Sequence, residues 1–569
     1  MKRCPECGRE YDNTMMFCLD DGAELLYGPA ASMDEPATAI LLSTDVPGDA
    51  PTRVQFNTTN ETAALPTGTN ELAKPRRWDK RLLVALLPLV IVVLVGFFGY
   101  QYFRPVTSGQ ISSIAVLPFE NSSGNPDSEY LSDGLAESLI YRLSQIPDLK
   151  VSPRSSVFRY KGKDVDTEKI GAELGVDAVM SGRLVQRGDN LTISVDLVDV
   201  RNKKTLWGEQ FDRKMSDLMA TQREITSAIV DKLQLKILGN ETKGITKKYT
   251  DNNEAYQLYL KGRFYWNKRT AENLNKAIDL LKSATEKDPN FALAYAALAD
   301  CYVVLPTFAG ERSNEAMPIA KSYAEKSIQL DPTLAEPHAS LALVTWFNDW
   351  DKEKAESEFR KAIELNPNYP TAHQWYQRFL RSINRGDEAY IEIKRAEEIE
   401  PLSLILINNV AEMQVERHEF EAAYETCRRM SEMDPNFWAI QQTLVYAYVS
   451  QGRYQDALTA AQKSVELSGR ANASLAQLGY ALGRLGRRAE AETIAKELGA
   501  KYENKTADAR DVADVYVGLG DNDKAFEWLE KGFAYRSFNL AGLTLDPLLD
   551  PLKGDPRYSD LKRRVGLPE

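Results

Sequence analysis

The chain has 569 residues, 70 of them basic and 82 acidic, for a formal net charge of -12. At roughly 150 residues per domain this length implies three to four modules, and the acidic balance argues against a broad nucleic-acid-binding face. Five cysteines in so long a chain are too few for a disulfide-built secreted scaffold.

Three of those cysteines cluster at the start, as Cys4-Pro-Glu-Cys7-Gly and then Cys18-Leu-Asp-Asp21-Gly22. Two thiolates separated by two residues on a glycine-ended turn grip one tetrahedral metal ion, and a second knuckle completes the site. Residues 1–27 therefore read as a zinc ribbon with a structural Zn2+ held by Cys4, Cys7, Cys18 and Asp21, Asp20 being the alternative fourth ligand. From 28 to 81 the composition turns to Pro, Thr, Ala, Gly and Asn with few aromatics, the signature of a disordered linker. Within it Thr38-Ala-Ile-Leu41 and Thr62-Ala-Ala-Leu65 repeat a short pattern.

Leu82 to Tyr100 reads LLVALLPLVIVVLVGFFGY, without a charge, long enough to span a hydrocarbon core of about 30 Å as a helix. The polar stretch ahead of it is not that of a cleavable signal peptide. Residues 82–103 are thus expected to cross a membrane. Lys74, Arg76, Arg77, Lys80 and Arg81 precede the segment and Arg104 stands nearly alone after it, so the N-terminus is expected in the cytoplasm and the rest exported.

The next segment, 108–240, mixes strand and helix patterns. Ile114 to Phe119 is a buried-strand run, Asp127 to Gln145 an amphipathic helix, Leu149 to Pro153 a strand, Thr167 to Leu174 a helix and Ala178 to Val185 a strand. Leu191 to Val200 alternates as a half-exposed strand, Lys204 to Phe211 adds another, and a helix runs from Ser216 to Leu235. These define a compact α+β domain. The stretches IAVLPFENSSGNPDSEYLSDGLAESL, GRLVQRGDNLTISVDLVDV and Leu206 to Arg213 resemble the TolB amino-terminal-like domain, related to the FlgO-like fold. The resemblance covers Ile111 to Leu238 and implies a bacterial single-pass membrane protein in which this domain stands between a transmembrane helix and helical repeats. Relatives of that type carry a winged-helix, kinase or cyclase head. The short ribbon here replaces such a head, and the family supplies no catalytic residues to carry over.

From Asn253 the chain is repetitive. Pro289, Pro332, Pro367, Pro401 and Pro435 each have an alanine twelve residues upstream: Ala277, Ala320, Ala355, Ala389 and Ala423. Leu281, Ala324, Phe359, Ile393 and Cys427 share a second offset, and Ala284, Ser327, Ala362, Ala396 and Met430 a third. The register continues through Ala457, Ala461 and Ser464 to Gly469. A period of about 34 residues, small where helices touch and closed by proline, is the tetratricopeptide (TPR) signature. Small positions let paired helices approach, and proline stops the second helix because it lacks an amide donor and disfavours helix before it. Residues 253–540 are expected to hold about eight hairpins, the second with an insertion at Thr307 to Asn314, and 541–569 to cap the last one. Cys301 and Cys427 read as buried thiols, His338 and His373 as packing residues at one repeat position.

The overall fold class is multidomain: a small zinc ribbon, one transmembrane helix, an α+β domain and an all-α TPR superhelical solenoid. No P-loop, GxGxxG, GxSxG or HExxH occurs, so no enzymatic activity and no small-molecule substrate is expected. The concave wall of a solenoid receives an extended peptide or a partner helix. Tyr259, Arg263, Asn409, Gln441 and Gln477 are the candidate wall residues. The function expected is a scaffold in the bacterial inner membrane that binds protein partners through exported repeats. The alternative is a signal-transducing sensor that relays an exported-side signal to the cytoplasmic ribbon.

Overall fold

A computed structural model describes Lys2–Arg3, Glu10–Tyr11 and residues 111–568 other than 147, 164–165, 234, 236–246 and 309–310. The zinc-ligand candidates Cys4, Cys7, Cys18 and Asp21, the linker and the apolar segment 82–103 lie outside the described residues. Among the described residues no helix is long and apolar enough to cross a membrane. Two compact units divide the chain at Phe103. In the first, β1 (Lys2–Arg3) pairs antiparallel with β2 (Glu10–Tyr11), Lys2 opposite Tyr11 and Arg3 opposite Glu10.

The second unit opens with a mixed sheet. Its strands are β3 (Ser113–Val116), β4 (Glu120–Asn121), β5 (Lys150–Val151), β6 (Ala178–Arg187), β7 (Asn190–Asp199) and β8 (Lys204–Lys214). The order is β5-β3-β6-β7-β8, with β4 also on β6; the β3–β5, β3–β6 and β4–β6 pairs are parallel and the rest antiparallel. Along β7, Leu191, Ile193, Val195 and Leu197 are buried while the residues between them are open or half-open, the two-residue period of a sheet with one covered face. Helices α1 (Glu129–Ser144) and α4 (Leu218–Lys232) pack against each other beside the sheet; α2 (Arg154–Val157) and α3 (Thr167–Leu174) fill the connections. The strand at 149–153 is shorter than its sequence pattern suggests, because Pro153 ends the ladder and starts α2.

Among the described residues the remainder forms eight helical hairpins: 253–266 with 271–287, 292–308 with 313–330, 335–344 with 352–365, 370–382 with 386–399, 404–416 with 420–433, 439–450 with 454–467, 472–484 with 488–503, and 509–518 with 522–534. The alanine register runs through all eight: Ala277, Ala320, Ala355, Ala389, Ala423, Ala457, Ala491 and Ala525 are all essentially inaccessible. At Pro289, Pro332, Pro367 and Pro435 the preceding Asp288, Asp331, Asn366 and Asp434 ends its helix in extended backbone, as a residue before proline must. Each of these side chains accepts the N–H two residues on. The long second repeat is made partly by its helices: extension to Phe308 and from Ser313 takes up four of the eight residues of the expected insertion.

The solenoid closes on itself. Phe347 of the third hairpin stacks on Phe538 with ring centres 4.3 Å apart, Trp350 stacks on Phe533, and Arg536 donates to the Asn348 carbonyl at 2.6 Å. Lys505 pairs with Glu315 at 2.6 Å, and the Phe538 amide donates to Ser313 Oγ. A π-turn at Thr345–Asp349, ended by Trp350 at φ 60°, lifts the third hairpin's tip toward these partners.

Candidate functional site

The first helix of each hairpin faces the inner wall, and this wall is largely covered by the chain itself. At one end α1 lies against the first repeat helix: a Cβ on Gly134 would stand 3.0 Å from Leu260, so only glycine permits this approach without the leucine yielding. Tyr256 and Ser138 both donate to Gln222 Oε1, at 2.5 and 3.2 Å, and one apolar cluster runs from Leu135 and Ile229 into Tyr256, Leu260 and Phe291. At the other end the turns Phe538–Leu545 and Pro547–Leu552 fold against the first helices of hairpins four, six and eight. This extends one expectation: the closing segment packs against these first helices as well as following the last hairpin.

Between the two covers remains a chamber of about 420 Å³, bounded by α1, the start of α2 with Pro153 ahead of it, and the first five hairpins. Leu293, Glu336, Thr371 and Ile405 form a stripe on its wall, one from each of four successive first helices at the same repeat position. Tyr141, Tyr249, Tyr256, Tyr259, Trp266 and Tyr369 supply aromatic faces. Beside it, and sharing Gln374, a smaller cavity of about 280 Å³ is lined by Arg378, Arg381, Asn409, Glu412 and Asp546.

The charges of the larger chamber divide into an ion-paired group and one held only by hydroxyls among the described residues. Arg263 binds Glu137 at 2.9 Å and Asp300 at 3.4 Å and lies over the Trp266 ring. Glu137 also accepts from Arg154 at 3.1 Å and Asn267 at 2.9 Å. Burial works against the Glu137 carboxylate, but Arg263 and Arg154 outweigh it and hold its pKa below the ordinary range. Asp300 is raised by burial, partly opposed by Arg263 and the Ser340 hydroxyl, which donates at 2.6 Å. Glu336 and Glu400 differ. Burial pushes each up to about 7. Glu336 has the Tyr141 hydroxyl at 3.4 Å, and Glu400 has the hydroxyls of Ser155 and Ser403.

The candidate wall residues fall in different places. Tyr259 and Arg263 line the larger chamber. Asn409 lines the smaller one and accepts from Gln374 at 3.2 Å. Gln441 is half-buried and lines neither of these two cavities. Gln477 is buried at 1 % exposure, donating to the Gln442 carbonyl of the preceding repeat at 3.3 Å; it joins helices and is not an open wall residue. His338 and His373 each place Nδ1 2.6 Å from a glutamate of the second helix, Glu358 and Glu392. Burial raises both described thiols, Cys427 to about 12. Among the described residues no three metal-ligating side chains converge.

Sequence reasoning missed Glu336, Glu400, Tyr141 and Tyr369. A signal for Glu400 was present: it occupies the pre-proline position that is Asp or Asn at Pro289, Pro332, Pro367 and Pro435. A longer side chain at that position reaches past the local turn into the chamber.

Residues 110–228 match the family described as HilA/YgeH-like transcriptional regulator, second domain, and residues 351–369 match a tetratricopeptide repeat. The protein is a TPR protein with one sheet domain. Among curated proteins it is similar to putative adenylate cyclase 3 of Rhizobium meliloti (strain 1021), 32% identical over 244 residues, 42% of this chain and 41% of that protein. It is also similar to the transcriptional regulator HilA of Salmonella typhimurium, 23% identical over 314 residues, 53% of this chain and 55% of that one. The chain thus spans about half the length of these relatives. Among solved structures, a tetratricopeptide repeat protein from Parabacteroides merdae aligns with 48% of this chain and all of its own, at 14% identity and a TM-score of 0.36.

Proposed function

We propose that this chain is a non-enzymatic TPR scaffold, anchored in a bacterial inner membrane by residues 82–103, that receives a protein partner on its exported side. The observation that carries the reading is the joint construction of the chamber: sheet domain and repeats share one core and contribute opposite walls. A partner would engage through a short projecting element, since the chain's own segments occupy most of the inner wall. Ile405, 51% exposed at the chamber's edge, gives such an element apolar surface. On the cytoplasmic side the ribbon would hold Zn2+ through Cys4, Cys7, Cys18 and Asp21. Three thiolates and a carboxylate are a competent tetrahedral set, and the β1–β2 pairing brings together the two ends of the segment carrying Cys4 and Cys7. Crosslinking in native membranes should recover a saturable partner that Ile405→Asp releases; recovery undiminished by that change would place the contact elsewhere, and no recovery would count against the scaffold.

A second reading is favoured by one comparison. Residues 110–228 match the HilA/YgeH-like second domain, and the chain is similar over about half its length to relatives named as a transcriptional regulator and as a putative cyclase, so one receiving half would serve different outputs. Here the ribbon would be the output, and deleting residues 1–27 should abolish a transcriptional response without altering partner capture.

A further inference from the structure

The larger chamber has a specific electrostatic imbalance. Four carboxylates line it (Glu137, Asp300, Glu336 and Glu400) against three guanidiniums (Arg154, Arg263 and Arg269). Arg263 and Arg154 are engaged with Glu137 and Asp300, and Arg269 lies over the Trp266 ring at 3.6 Å. Neither Glu336 nor Glu400 forms an ion pair among the described residues. No charged group contributes to the surroundings of Glu400, which are the hydroxyls of Ser155 and Ser403. Glu336 is faced by Tyr141 of α1, by Tyr249, Tyr259 and Tyr369, by Asp300 and by the cationic Arg263, already engaged with two other carboxylates.

The two carboxylates are also set apart. Glu336 opens the first helix of hairpin three, and Glu400 immediately precedes Pro401 at the start of hairpin five. First helices packed roughly 8–10 Å apart place them on the order of 15–20 Å from each other across two repeat steps. That span is too wide for one metal ion, which needs its ligands within about 2.6 Å. Tyr369 and Thr371 of the fourth hairpin's entry line the wall between them. Aromatic faces accept methylene groups and attract an ammonium ion through the ring quadrupole, whereas an anion would meet the guanidiniums of Arg154 and Arg263 already engaged by Glu137 and Asp300.

We propose that the chamber binds a linear organic polyamine, with Glu336 and Glu400 receiving its two terminal ammonium groups and the tyrosines covering the alkyl chain. This ligand is additional to the protein partner, and its binding is measured without that partner, so either reading can fail alone. Isothermal titration calorimetry on the full chain in detergent should show saturable one-to-one binding of spermine. The short diamine 1,3-diaminopropane should bind at least ten-fold more weakly, because it cannot reach both carboxylates. Glu336→Gln and Glu400→Gln should each weaken spermine at least ten-fold with unchanged thermal unfolding. Affinity should rise from pH 6 to pH 8 as both carboxyls, held near neutrality by burial, lose their protons while the amine keeps its own. The two variants lie on separate hairpins, so misfolding of one leaves the other as a test. Absent or non-saturable heat, equal affinity for the short diamine, or an effect confined to one of two folded variants would overturn the two-ended site, as would stronger binding of a lysine-rich peptide than of spermine.

Discussion

Gly483 and Gly518 stand where the first helices of hairpins seven and eight cross with their backbones in contact. A Cβ on Gly518 would fall 2.5 Å from Tyr480 Cα and the Tyr480 carbonyl oxygen, and one on Gly483 would fall 2.5 Å from the Gly518 carbonyl carbon. Neither glycine has positive φ, so backbone freedom is not the reason for them; the missing methyl is. The register alanines lie on the second helices, so these glycines mark a separate contact, made between two first helices. Gly518→Ala cannot be relieved by a side-chain rotation, because the obstructing atoms are main chain. It should cost about 1–3 kcal/mol through overpacking. Urea unfolding of the unit that begins at Arg104 should show the midpoint falling at unchanged slope, and an unaltered midpoint would mean the crossing is looser than its geometry.

At the scale of elements, what was legible in the sequence is what is local. Each repeat touches its neighbours, so proline, alanine and the larger apolar residue recur at fixed offsets, and the register could be followed hairpin by hairpin. The strands of the sheet domain were legible through two-residue alternation, β7 most cleanly. The covers over the inner wall were not legible, because they rest on contacts between distant segments: Phe538 with Ser313 and Phe347, Tyr141 with Glu336, Arg263 with Glu137. Gln477 illustrates the converse error, a polar residue on a first helix read as wall when its amide serves the preceding repeat. Among the covers the closing turn depends most on a single side chain. Phe538, 7% exposed, stacks on Phe347 and lies under the Arg378 guanidinium at 4.6 Å. Phe538→Ala should cost about 3–5 kcal/mol and release the turn from the wall. Hydrogen exchange should then show lost protection at 538–552 and at the third hairpin's tip together; loss at the turn alone would mean the ring closes by other contacts.

For the whole molecule, closure changes how the repeats would pass on a change made at one site. An open solenoid stretches like a spring, each repeat yielding a little. Here the second and third hairpins are tied to the seventh and eighth by stacked rings, an ion pair and backbone bonds, so deformation at one repeat must be accommodated around the ring. The sheet domain shares its core with the first hairpin and precedes it in the chain, directly after the apolar segment. Under the anchoring proposed above, a ligand-driven change in the chamber would pass along the chain toward residues 82–103 through the sheet domain. That route requires the chamber and the ribbon to lie on opposite sides of a membrane, the arrangement proposed above from Lys74, Arg76, Arg77, Lys80 and Arg81 preceding the apolar segment while Arg104 stands nearly alone beyond it. Protease-cleavable epitope tags at the two termini test this directly, since they are read independently of how well the folded ring resists digestion. In intact spheroplasts the C-terminal tag should be removed and the N-terminal tag retained, both being lost after lysis. Removal of the N-terminal tag with retention of the other would put chamber and repeats in the cytoplasm. Loss of neither before lysis would leave both ends inside, and a relay across the membrane would have no outer half.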